Sequence, residues 1–210
     1  MFPPVYAILD PDVTTAPLTR LAAQLAGAGV RLMQLRNKRG SPAEILSQAG
    51  ELRALLAREG VRWILNDRPD IAALADADGV HVGQQDLSVE QARRICGADR
   101  WVGVSTHSLD QLLEAAGTSA DYIAIGPIFP TSTKQNPDPV VGIEFIRAAR
   151  RITRKALVAI GGITLPSAAE VFRAGADSLA VIGDLAAAGD PAERARQYLA
   201  VAEASLGSRG

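Results

Sequence analysis

Arg31-Leu32-Met33-Gln34-Leu35-Arg36-Asn37-Lys38 starts as an apolar run and closes on polar residues at every second position. In a strand, side chains two residues apart leave on one face and their neighbours on the other. Read as a strand, the stretch sends Gln34, Arg36 and Lys38 to one side near its C-terminal end, and Met33 and Leu35 to the opposite side. Two cations converging beside a buried amide are costly unless an anion is meant to sit there. Taken alone, the pattern fits solvated surface cations equally well. Working outward, Ser41-Pro42 before Glu44 marks a helix start. Apolar residues follow at helical spacing from 45 to 56, Gly60 ends the helix, and a second β-rich run occupies 62–66. That is a strand–helix–strand unit.

The same grammar runs through the chain. Short β-rich runs lie at 5–10, 31–36, 62–66, 79–83, 101–105, 122–126, 156–161 and 178–182, separated by Ala/Leu-rich helical patterns. Ser88 with Gln91 three residues on, and Pro166-Ser167, mark further helix starts. Gly27, Gly29, Gly97, Gly117 and Gly175 mark helix ends. Three turns look alike: Ala77-Asp78-Gly79, Ser119-Ala120-Asp121 and Gly175-Ala176-Asp177, a weak internal repeat. Strands alternating with helices imply a parallel sheet covered by helices. A closed barrel and an open doubly wound sheet both satisfy the alternation. The count of eight, and the even spread of polar residues over the strand ends, favour an α/β fold of a single (β/α)8 TIM barrel across 1–210. The longest irregular stretch, 127–141, carries four prolines and Thr131-Ser132-Thr133-Lys134. A loop of that length in a compact domain is usually functional.

Composition narrows the partners. With 210 residues the chain can bury one sizeable core, and its net charge of -1 leaves no basic surplus for nucleic acid. No apolar run is long enough to span a membrane, and the N-terminus has no secretory leader pattern. Cys96 is the sole cysteine, so no internal disulfide forms, in keeping with a reducing cytoplasm. The partners expected are small molecules. A homo-oligomer is compatible with the sequence, which does not demand one.

In such a barrel the chemistry sits at the C-terminal strand ends. Gln34, Arg36 and Lys38 end the second run, Asn66-Asp67 the third, and Gln84, Gln85 and Asp86 follow the fourth. Ser105-Thr106-His107 end the fifth, Thr131 to Lys134 follow the sixth, and Gly161-Gly162 and Ile182-Gly183 follow the last two. Asp67 and Asp86 at neighbouring ends suit Mg2+, which takes few protein oxygens and fills its shell with water and phosphate oxygens. The bland alternative makes each of them the cap of the helix that follows. Beside Arg36, Lys38 and Lys134 the carboxylates read as a metal–polyphosphate site. The glycine turns after the seventh and eighth strands offer backbone N–H groups to a single phosphate. His81, inside the fourth run, is expected to be an interior histidine, and His107 equally fits the start of the next helix beside Ser108; neither is assigned a catalytic role. The set favours displacement of pyrophosphate by a second, phosphorylated substrate.

From about residue 5 to 199 the chain resembles the thiamine-phosphate synthases. The matching motifs are Gln34-Leu35-Arg36-Asn37-Lys38, Asn66-Asp67, the run 77–86 containing His81 and Asp86, Gly103-Val104-Ser105-Thr106-His107, the run 126–134 ending in Lys134, and Ala159-Ile160-Gly161-Gly162-Ile163. The resemblance implies condensation of 4-amino-2-methyl-5-hydroxymethylpyrimidine diphosphate with 4-methyl-5-(2-phosphoethyl)thiazole, with Mg2+ as cofactor. The products are thiamine phosphate and pyrophosphate, and the displacement is dissociative. It further implies that Gln34, Arg36, Lys38, Asn66, Ser105 and Lys134 hold the pyrimidine diphosphate, and that Arg36, Lys38, Ser105 and Lys134 act on its leaving group. Asp67 and Asp86 would hold Mg2+. Thr131, Ser132, Thr133, Gly162, Ile182 and Gly183 would hold the thiazole phosphate. Leu35 and Asn37 are counted with the binding run, although strand alternation points the Asn37 side chain away from both substrates. The family commonly has Glu at position 37 and often Ser at 183, where this chain has Asn37 and Gly183. A thiazole tautomerase paralogue would not need both carboxylates and all three cations. A silent barrel that binds thiamine phosphate would have lost a carboxylate, and this chain keeps both.

Overall fold

The computed structural model describes residues 2–131 and 138–207. Eight parallel strands close into one barrel in sequence order. They are β1 (Val5–Leu9), β2 (Leu32–Leu35), β3 (Arg62–Asn66), β4 (Gly79–Val82), β5 (Trp101–Thr106), β6 (Tyr122–Ile125), β7 (Ala156–Ile160) and β8 (Ser178–Val181). Around them lie α1 (Leu18–Gly27), α2 (Pro42–Arg58), α3 (Pro69–Leu74), α4 (Val89–Cys96), α5 (Leu109–Gly117), α6 (Ile143–Ile152), α7 (Leu165–Ala174), a short α8 (Gly183–Ala186) and α9 (Pro191–Leu206). The barrel expected from the alternation is therefore the fold. Strand ends shift by a residue or so: Arg31 lies just outside β2, and its guanidinium donates to the carbonyls of Ala26 in α1 and of Val30.

Alternation sorts the core into two bodies. Val5, Ala7, Leu9, Met33, Leu35, Trp63 and Leu65 face the helices. Tyr6, Ile8, Leu32, Ile64, Tyr122, Ala124, Val158 and Ala180 fill the barrel interior. The helices form because their apolar faces meet the first body, and some of their starts are capped as well. Ser41 and Ser88 both make complete capping boxes, with Glu44 and Gln91.

The three look-alike turns have one shared purpose. Asp78 donates its N–H to the Trp63 carbonyl and accepts from the Trp63 N–H at 2.9 Å. Asp121 does the same with Val102, and Asp177 with Leu157, at 2.7 and 2.8 Å for the carboxylate bond. Each aspartate precedes an even-numbered strand and closes the start of the strand before it. The repeat thus pins the N-terminal rim of the barrel.

Candidate active site

The opposite rim carries the residues that the sequence singles out. Arg36, at the end of β2, ion-pairs with Asp10 just past β1, whose carboxylate is fully buried. Asp10 Oδ1 also accepts from the Asp12 N–H at 2.9 Å. Lys38, about half exposed, pairs with Asp67. Asp67 holds a left-handed backbone with φ 64°, uncommon for a residue with a Cβ, and its N–H donates to the His81 carbonyl at 2.7 Å. Burial pushes the Asp67 carboxyl above the usual carboxylate range; Lys38 opposes the shift and the facing Asp86 carboxyl adds to it. Asp86 Oδ2 accepts from the Gly83 N–H at 2.8 Å.

Neither carboxylate caps a helix. The α3 N-cap is Arg68, without a side-chain cap bond, and α4 is capped by Ser88. Two carboxyl groups that face one another, one of them raised by burial and by its neighbour, are a poor arrangement without a cation. They offer the few oxygens that Mg2+ takes from protein. Among the described residues no group of three or more His, Cys, Asp or Glu side chains is placed to hold a metal ion. The facing pair by itself suits a cation that completes its shell with water and phosphate oxygens. A pocket of about 340 Å³ opens beside the pair, between residues 67–70 and 86–87.

Beneath this rim the barrel interior is polar. Gln34 is buried and donates to Tyr6 Oη at 2.7 Å. Ser105 Oγ lies 2.8 Å from His81 Nε2, and Gln84 reaches across to the Ser105 carbonyl at 2.6 Å. His81 is thus the interior histidine expected. Burial pushes its pKa down to about 4, so the ring is neutral at physiological pH. His107 donates its backbone N–H to Gln111 Oε1, and its Nδ1 lies 2.5 Å from the Gly126 carbonyl; Ser108 caps α5.

The far side of the rim is made of backbone. Ile128 and Phe129 donate to the Ile160 and Gly161 carbonyls at 2.9 and 3.0 Å, and Val141 returns to the Pro127 carbonyl at 2.9 Å. This seats the segment after β6 on the end of β7. Gly162 has φ +63°, and a Cβ there would lie 2.3 Å from the Pro130 carbonyl oxygen. Glycine is needed there on both counts. Ile182 directly precedes α8, which Gly183 begins.

Gln34, Arg36, Lys38, Asn66, Asp67, Asp86 and Ser105 thus come to one rim, with Thr131, Gly162, Ile182 and Gly183 on the strands and loops that complete the circle. Ser132, Thr133 and Lys134 lie outside the described residues. Two members of the β2 run turn elsewhere. Leu35 is buried among the helix-facing side chains. Asn37 donates to Gln48 on α2 at 3.0 Å and accepts from the Arg39 and Gly40 N–H groups at 3.2 and 2.7 Å. Residues outside the sequence-based set also bond to these side chains. Asp10 orients Arg36, and its signal was an aspartate directly after the first apolar run. Tyr6 and Tyr122 were hidden as aromatic residues in apolar runs; their inward parity was the available clue.

A family model described as thiamine monophosphate synthase matches residues 5–185. A thiamine-phosphate synthase of Koribacter versatilis is 51% identical over 204 residues, covering 95% of each chain. One from Myxococcus xanthus is 44% identical over 195 residues, covering 92% of this chain and 89% of that one. The solved thiamine phosphate pyrophosphorylase of Pyrococcus furiosus superposes with a TM-score of 0.88 at 30% identity, covering 97% of this chain and 96% of that one.

Proposed function

The chain belongs to the thiamine monophosphate synthase family, a transferase that forms thiamine phosphate with release of pyrophosphate, and from that premise we propose how its rim divides the work. The side of β2 to β5 takes the pyrimidine diphosphate, through Gln34, Arg36, Lys38, Asn66, Ser105 and Lys134. The side of β7 and β8, with Thr131, Ser132 and Thr133, takes the phosphate of the 2-phosphoethyl thiazole at Gly162, Ile182 and Gly183. Leu35 and Asn37 serve the β2 run through their main chain. The observation that carries this reading is the facing pair Asp67 and Asp86, with Lys38 paired to Asp67 and Arg36 held by Asp10 on the strand end beside them.

Asp67 and Asp86 would hold Mg2+. When bound, the ion offsets negative charge on the departing diphosphate. The protein residues do the remainder. Asp10 holds the Arg36 guanidinium at the rim, where it meets a diphosphate as a fork of donors. Lys38, half exposed at the same rim, would turn its ammonium to the same anion. The C–O bond to pyrophosphate breaks with its electron pair on the leaving oxygen. The thiazole nitrogen then supplies the pair for the new C–N bond at the pyrimidine methylene carbon. This order needs no protein nucleophile. His81, neutral and buried beneath the rim, adds no positive charge against the cationic carbon. The lone Cys96 is buried, and no described helix is long and apolar enough to cross a membrane. Both features suit a biosynthetic enzyme of the reducing cytoplasm.

The test is an assay with both substrates, following pyrophosphate and thiamine phosphate, with Mg2+ and then with chelator. Equal release of both products, abolished by chelator, is the expected result. Conversion of the phosphorylated thiazole alone, without pyrophosphate, would assign the barrel to tautomerisation instead.

A further inference from the structure

Beneath the rim runs an unbroken row of hydrogen bonds. Gln34 Nε2 donates to Tyr6 Oη at 2.7 Å, and the Tyr6 and Tyr122 hydroxyls lie 2.9 Å apart. Tyr122 Oη is 3.0 Å from His81 Nδ1, and His81 Nε2 is 2.8 Å from Ser105 Oγ. Strand register builds the row. His81, Gly103 and Tyr122 stand side by side on β4, β5 and β6. A Cβ on Gly103 would lie 2.0 Å from Tyr122 Cζ, so only glycine lets the tyrosine lie across the middle strand to the histidine. The two rings stack with centroids 5.5 Å apart and planes 25° apart.

Each hydroxyl has one proton, which gives the row a direction. The Gln34 amide occupies the Tyr6 oxygen as a donor, so the Tyr6 proton goes to Tyr122. The Tyr122 proton then goes to His81 Nδ1. A neutral imidazole carries one N–H, which must sit on Nε2 and donate to Ser105. The Ser105 proton is left for an acceptor in the mouth. Run in reverse, the row would turn that proton inward to His81 and show an anion only lone pairs.

We propose that Tyr122 is a positioning residue, with Tyr6 setting its proton: the row holds His81 as the Nε2–H tautomer and so presents Ser105 to the diphosphate as a hydrogen-bond donor. This rests on the reading that Ser105 meets the diphosphate, but the tautomer itself does not.

Nitrogen NMR of the two histidines, His81 and His107, reads the tautomer directly. In the wild-type protein at neutral pH, His81 should carry its proton on Nε2. A proton on Nδ1 overturns the proposal, whether or not the enzyme turns over. Tyr122→Phe keeps the ring and removes the hydroxyl. It should abolish the single tautomer and lower kcat/KM for the diphosphate roughly fivefold, the loss of one ordinary hydrogen bond. The KM for the thiazole phosphate should not move. In a Ser105→Ala background, Tyr122→Phe should cost nothing further. If the two substitutions multiply independently, or Tyr122→Phe leaves tautomer and kinetics unchanged, the row does not act through Ser105. If Tyr122→Phe fails to fold, the wild-type tautomer decides alone. If the wild-type protein makes no thiamine phosphate, the functional reading fails while the tautomer result stands.

Discussion

The two rims of the barrel use aspartate in opposite ways. At the N-terminal rim, Asp78, Asp121 and Asp177 each exchange two hydrogen bonds with the residue across the strand start, and Arg93 and Arg150 add charge to the latter two. Their acceptor needs are met inside the fold. At the C-terminal rim, Asp67 and Asp86 face one another with Lys38 as the ion partner of Asp67, and burial and mutual repulsion raise the Asp67 pKa. A satisfied carboxylate stabilises the barrel; an opposed pair does not, and under the proposed function it is the pair that would take a cation. The same residue type therefore marks stability below and chemistry above, in line with the division of labour of such barrels.

Acid separates the rims most strongly. The polar row lies under the upper rim only, and His81 in it has its pKa lowered from 6.5 to about 4. Between those values the unfolded chain binds a proton that the folded one refuses. Stability present above pH 6.5 is thus lost as pH falls toward 4. The loss should reach about 3 kcal/mol by urea titration, and His81→Gln should flatten that part of the curve. An equal slope in the variant would assign the acid sensitivity to other groups.

Asp67→Ala or Asp86→Ala should lower turnover roughly 10- to 100-fold, as ligand and ligand-support losses do in metal sites. Neither should lower the melting temperature, since each removes an opposed charge. A parallel loss of stability would erase the distinction between the rims. Asp121→Ala tests the other side. It leaves the Val102 N–H without its acceptor and takes from Arg93 its ion partner, though not its backbone acceptors, and should cost about 2 kcal/mol of stability with both Michaelis constants unchanged. A raised Michaelis constant there would mean that the lower rim reaches the site.

Asn37→Glu carries the smallest expected effect. The loss of its bonds to Gln48, Arg39 and Gly40 should cost about 1 kcal/mol. The diphosphate KM should stay the same, because the side chain faces α2. A tenfold rise, about 1.4 kcal/mol, would place position 37 in the anion site after all.

The alternation of Gln34, Arg36 and Lys38 with Met33, Leu35 and Asn37 was enough to separate rim from helix layer, because a strand has a period of two whatever surrounds it. The repeat of strand and helix along the chain gave the barrel for the same local reason. The motifs from Gln34 to Gly162 gave the family. What the sequence could not contain were distances between strands far apart in the chain. That Asp10 is the partner of Arg36, and that Tyr122 crosses Gly103 to reach His81, depends on which strands become neighbours when the barrel closes. So does the opposition of Asp67 and Asp86: singly each reads as a helix cap, and only their place beside Arg36, Lys38 and Lys134 points to a metal–polyphosphate site. Periodicity and turn chemistry are properties of neighbouring residues and are written in the chain; proton direction, charge opposition and burial arise only when closure brings distant residues into one low-dielectric interior.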